Sequence, residues 1–115
     1  MSLEFQPVKD GRAVAEWVKA LKGKSGVYLI RERGFFGSVR YIGESHTGRL
    51  YSTLLRHFQR WKGPTAGPTF PVSKIEVAII RTLAGKAVET QNALIAEYRP
   101  ELNAAEKPER WTIFG

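Results

Sequence analysis

Gly26-Val27-Tyr28-Leu29-Ile30-Arg31-Glu32-Arg33, followed a few residues later by Val39-Arg40-Tyr41-Ile42-Gly43, is the stretch whose reading decides the fold. The first run is β-branched and aromatic with rough alternation of apolar and polar residues, and the second continues that character. Between them, Gly34-Phe35-Phe36-Gly37-Ser38 reads as a hairpin loop, so the two strands are expected to pair antiparallel. Tyr28 and Tyr41 then lie on neighbouring strands, where two phenols can converge on one site.

Working outward, Gly48 to Trp61 has the clearest helical pattern. Leu50, Leu54, Phe58 and Trp61 form one apolar stripe, and Arg49, Thr53, Arg56 and Arg60 form a second, mainly basic one. Lys62 to Pro71 holds three prolines and two glycines and reads as a loop. Ser73 to Leu83 alternates as a strand through Ile75, Val77 and Ile79, and Gly85 to Tyr98 reads as the last long helix. Upstream, Val14, Trp17, Val18 and Leu21 recur at helical spacing. Asp10 is a plausible N-cap and Gly23 a stop, so Asp10 to Lys22 is expected to be a helix. The tail from Glu101 to Gly115 is expected to be irregular, with Trp111 to Phe114 packing back as an extended segment.

The order helix, strand, strand, helix, strand, helix predicts an α/β domain of the α+β type. It has a three-stranded, mainly antiparallel sheet flanked by helices, with an extra N-terminal helix. One domain is expected over residues 1–115, with a core over 25–103, a helical extension over 1–24 and a tail over 104–115.

Composition narrows the function classes. Eighteen Lys and Arg against eleven Asp and Glu give a net charge of +7, which suits a polyanionic partner such as nucleic acid. With no cysteine there is no disulfide framework and no thiolate zinc site. No apolar run approaches the roughly 20 residues that span a bilayer, and no secretory signal opens the chain, so a cytoplasmic setting without a membrane is expected.

Gly26-Val27-Tyr28, twelve intervening residues to Tyr41-Ile42-Gly43, an arginine-bearing helix, then a strand and a helix closing on Arg99-Pro100-Glu101-Leu102-Asn103, together resemble the GIY-YIG endonuclease superfamily. The resemblance covers about residues 25–103. It implies a DNA endonuclease that hydrolyses phosphodiester bonds with one divalent metal, Mg²⁺ or Mn²⁺, on DNA that is double-stranded or branched. It gives Tyr41 the base-side role, with Tyr28 holding Tyr41 or the water in place. Members carry an arginine four residues before a histidine on the helix after the second motif. Here the histidine is His57, but that position is Thr53. Arg49 is favoured as the catalytic arginine, with Arg56 second, and His57 either assists at the phosphate or packs. Arg60, Lys62 and Asn103 are candidates for substrate contact, Asn103 equally for local support.

The metal position departs from the family. Counting back twelve residues from Asn103, where the family has a glutamate, gives Gln91. Glu89 is the nearest acid but points to nearly the opposite side of the helix, whereas Gln91 shares a stripe with Val88, Ile95 and Tyr98. Glutamine offers a neutral carbonyl oxygen, and losing the carboxylate weakens Mg²⁺ binding. Three readings of Gln91 stay open: an engineered exchange, a natural loss that leaves a non-catalytic nucleic-acid-binding module, or a ligand supplied instead by Glu44.

Overall fold

The computed structural model of the chain describes residues 3–34, 38–59 and 67–106. The hairpin tip at Phe35 to Gly37, Arg60, Trp61, Lys62 and the Trp111 to Phe114 segment lie outside those residues. The chain folds as an α+β domain: a three-stranded antiparallel sheet packed against helices, with a small separate hairpin. The main strands are β3 (Gly26–Glu32), β4 (Val39–Ser45) and β5 (Ile75–Arg81), ordered β4-β3-β5. Tyr28 pairs with Gly43 on one side and Ile79 on the other. β3 is the central strand, and Val27 to Ile30 are buried on both of its faces rather than alternating with solvent.

The two faces carry separate cores. Tyr28, Ile30 and Val77 pack under α2 (Leu50–Leu55), whose Leu50 and Leu54 are fully buried. Val27, Leu29 and Ile42 pack under α3 (Ala87–Tyr98), with Leu94 and Ile95 closing over them. Val88 and Tyr98, expected on the inward stripe, are exposed; Ala87, Gln91 and Ile95, spaced four apart, form it instead.

The N-terminal region departs from expectation. In place of a helix over Asp10 to Lys22 there is a hairpin, β1 (Lys9–Asp10) with β2 (Ala13–Val14), followed by a one-turn helix, α1 (Glu16–Lys19). Gly11 adopts φ +68, the positive angle that a two-residue hairpin loop with a leading glycine needs. The helical spacing still located the burial correctly, since Val18 and Leu21 are in the core and Val14 and Trp17 pack against it. Upstream, Gln6 bridges to Val77 and so covers the outer edge of β5.

The helix expected to reach Trp61 ends sooner: α2 tightens into a 3-10 turn over Arg56–Phe58, and Gln59 is already extended. The carbonyl of His57 accepts from Phe70 N at 2.7 Å, which draws the returning chain against this turn. At the C-terminus, Arg99 turns into the left-handed region, and the start of the tail expected to be irregular forms α4 (Glu101–Glu106), the rest of that tail lying outside the described residues. No helix among the described residues is long and apolar enough to cross a membrane.

Asn103 on α4 fastens this helix to the sheet. Its Oδ1 accepts from Ile42 N at 2.7 Å and its Nδ2 donates to Ile42 O at 2.8 Å, so the side chain mimics a neighbouring strand along the exposed edge of β4. Asn103→Ala is expected to lower unfolding free energy by about 2 kcal/mol, because two buried backbone groups lose their partner. Asn103→Asp should cost nearly as much, since a carboxylate cannot donate to Ile42 O. Urea unfolding checks both; a cost within about 0.5 kcal/mol of zero would mean that water replaces the amide at no loss.

Candidate active site

Beside the edge strand β4, between α2 and α3, lies a cleft of about 230 Å³ lined by Tyr28, Tyr41, Gly43, Glu44, Thr53, Arg56, His57 and Gln91. The local register explains how the tyrosines reach it. Tyr28 and Gly43 are directly paired, and the Tyr28 ring lies across Gly43 where a Cβ would stand: the nearest ring atoms would overlap it. The glycine of Tyr41-Ile42-Gly43 thus makes room for the tyrosine of the facing motif. Gly26 is tied down on the other side, where an added Cβ would meet the β5 backbone at Ile80 O and, at 2.9 Å, Arg81 Cα.

Three aromatic rings close the inner wall. Tyr28 and Tyr41 lie 6.3 Å apart centroid to centroid, with His57 at 5.3 Å from the first and 5.0 Å from the second. All three pairs are tilted, within the favourable range for edge-to-face rings. His57 is 1% exposed, so its ring nitrogens need partners inside the protein. Nδ1 lies 2.7 Å from Pro68 O, and Nε2 lies 2.6 Å from the Tyr28 hydroxyl. A carbonyl can only accept, so Nδ1 carries a proton and donates it to Pro68. In neutral His57, Nε2 is then the acceptor and the Tyr28 hydroxyl donates to it.

The outer wall is polar and carries both signs. Arg56 is exposed, and Thr53 one turn earlier is half-buried. Opposite them, Glu44 is largely covered, and His46 Nδ1 lies 3.0 Å from its Oε1. Gln91 comes from the inward stripe of α3, and its amide nitrogen lies 3.5 Å from Asn92 Oδ1, the outer limit of a hydrogen bond. Glu89 is exposed and paired with Lys86, away from the cleft. Among the described residues, no group of three His, Cys, Asp or Glu side chains is placed to hold a metal ion.

No family model matches this chain, and no curated protein matches it. The resemblance to the GIY-YIG superfamily accordingly rests on the sequence motifs alone.

Of the residues singled out by sequence, the cleft brings together Tyr28, Tyr41, Arg56, His57, Glu44 and Gln91. Arg49, the favoured arginine, instead stands exposed at the N-cap of α2, two turns from Arg56, with its backbone N–H on Ser45 Oγ at 3.1 Å. Asn103 holds Ile42 rather than lining the cleft. Arg60 and Lys62 lie outside the described residues. Sequence reasoning did not single out Thr53 as a site residue, although it occupies the position of the family arginine. It also missed Pro68, whose contribution is a backbone carbonyl that any residue type would supply.

Proposed function

We propose that this cleft is a phosphodiester-cleaving site of the GIY-YIG type, acting on DNA, with its metal affinity weakened by Gln91. The observation that carries the reading is the Tyr28–His57 pair beside Tyr41 and Arg56 in one cleft. A phenol that donates to an imidazole keeps its oxygen as an acceptor. It can accept a proton from an attacking water while its own proton passes to His57 Nε2. Pro68 keeps His57 in the tautomer that makes this possible. The resemblance gives the base role to Tyr41; the imidazole, however, stands directly behind Tyr28, and Tyr41 then orients the water or the phosphate. Arg56 supplies positive charge for the phosphate oxygens, and Thr53 a hydroxyl donor.

The donor set accommodates a hard cation only in part. Glu44 would offer one carboxylate and Gln91 one neutral carbonyl, oxygen donors of the kind that Mg²⁺ or Mn²⁺ takes. Glu44 and Gln91 would hold such an ion, which would supply charge neutralisation for the phosphate and the departing oxygen. His46 competes for the same carboxylate, which weakens the site further.

Plasmid nicking in Mg²⁺ and in Mn²⁺ tests the proposal, comparing the chain with Gln91→Glu. Introducing the carboxylate is expected to raise cleavage by on the order of 10- to 100-fold, the scale on which groups at metal sites act. If neither protein cuts DNA that both of them bind, the nuclease reading fails. The same basic face then serves a non-catalytic nucleic-acid-binding module, which the amide at Gln91 already favours as the second reading.

A further inference from the structure

The turn before β3 is clamped to the start of α2 by two hydrogen bonds, at a point where Gly48 passes close to Gly23. Lys24 O accepts from Leu50 N at 3.1 Å, Ser25 Oγ accepts from Gly48 N at 3.0 Å, and a Cβ on Gly48 would lie 3.5 Å from Gly23 O. This clamp places Lys22 and Lys24, far from Arg49 in sequence, beside the first turn of that helix. All three side chains are exposed. Lys22 Nζ lies over the Tyr51 ring of α2, 4.9 Å from its centroid, which places it on the flank of the helix opposite Arg49 and Thr53.

From Arg49 the positive line continues into the cleft. Arg49, Thr53 and Arg56 follow one face over two turns, about 10 Å of helix axis. Neither the segment from Ala20 to Ser25 nor that from Gly48 to Gln59 contains an acid. Among the described residues, none of Lys24, Arg49 and Arg56 is in an ion pair, so their charges are available to an outside anion. Cations left without acids along one line, ending in a cleft that holds another arginine, form a track for a chain of negative charges.

We propose that Lys24 and Arg49 form a backbone-binding track for the DNA strand flanking the bond held at Arg56. The inference rests on the DNA-directed reading of the cleft and adds where the strand runs beyond it. Contacts of this kind position a duplex without reading its sequence. They also explain what an arginine at the N-cap of α2 does when it is not in the cleft.

The test is the salt dependence of duplex DNA binding, measured by fluorescence anisotropy between about 50 and 200 mM salt, where each phosphate contact contributes about 0.9 to the slope of log K against log salt. The variant Lys24→Ala/Arg49→Ala is compared with Arg33→Ala/Lys74→Ala. The latter pair also removes two exposed cations, but at the far end of the seven-residue β3, about 20 Å away. The first variant should lose about 1.8 of the slope, while Lys22→Ala and the second variant change it little. The clamp runs through the backbone carbonyl of Lys24, so these exchanges leave it in place, and circular dichroism verifies the fold. Equal slope losses in the two double variants, or none in the first, overturn the track while leaving the cleft reading standing. Failure of the unaltered chain to bind DNA at low salt overturns both.

Discussion

Gly43→Ala is expected to dismantle the Tyr28–His57 pair and to lower the melting temperature by on the order of 10 °C. The new methyl group would stand inside the Tyr28 ring, overlapping Oη and Cζ and lying 2.8 Å from Cε1. The ring has nowhere to retreat, being 2% exposed and bonded to the buried His57. It must swing off the strand, which breaks the phenol–imidazole bond and leaves His57 Nε2 facing a gap. Overpacking costs about 1–3 kcal/mol and a stranded buried acceptor about 1–3 kcal/mol. Gly85→Ala is the matching control, because a Cβ there meets nothing within 4 Å. Thermal melts should separate the two, with Gly85→Ala unchanged or slightly stabilised. In the Gln91→Glu background, Gly43→Ala should also bring plasmid nicking down to the uncatalysed level. A Gly43→Ala protein that melts within about 2 °C of the parent would show that Tyr28 is not committed to this position.

The same residues show why the strand pair was readable from sequence. Gly26, Tyr28, Tyr41 and Gly43 act through register, and register between strands joined by a short loop is a local property. The paired motifs therefore predicted both the antiparallel pairing and the meeting of the phenols. The N-terminal helix failed because periodicity and turn chemistry disagreed there. Val14, Trp17, Val18 and Leu21 were spaced for one buried face, but Asp10-Gly11 opened a hairpin and left only Glu16–Lys19 helical. Burial was legible and conformation was not. Which arginine lines the cleft was not legible for a different reason: Arg49, Thr53 and Arg56 share one face, so spacing alone cannot say that Arg56 is the one that meets it. That depends on where α2 lies along β4, a tertiary fact. The edge-strand role of Asn103 was equally invisible, because its partner Ile42 is 61 residues away and contributes only backbone.

His57→Ala is expected to be the costliest single change in the cleft, at about 3–5 kcal/mol, comparable with truncating a buried aromatic ring. The ring is the meeting point of three parts of the chain. It carries the end of α2, bonds Tyr28 of β3, and holds the returning segment through Pro68 O, while the Phe70 ring lies 6.1 Å away. Removing it leaves a cavity and strands both a carbonyl and a phenol. Loss of activity in this variant would therefore say little about chemistry, since the wall of the cleft goes with it. Tyr28→Phe separates the two roles. It keeps the ring over Gly43 and removes only the oxygen, so its stability cost should stay near about 1–2 kcal/mol. If Tyr28 and His57 relay a proton, Tyr28→Phe in the Gln91→Glu background should still lower nicking by on the order of 100-fold, with DNA affinity unchanged. If nicking instead falls only in proportion to the folded fraction, the phenol is a packing element and the relay is wrong. Urea unfolding and single-turnover nicking on the same preparations decide between these outcomes, because only a chemical role lowers the rate of protein that remains folded.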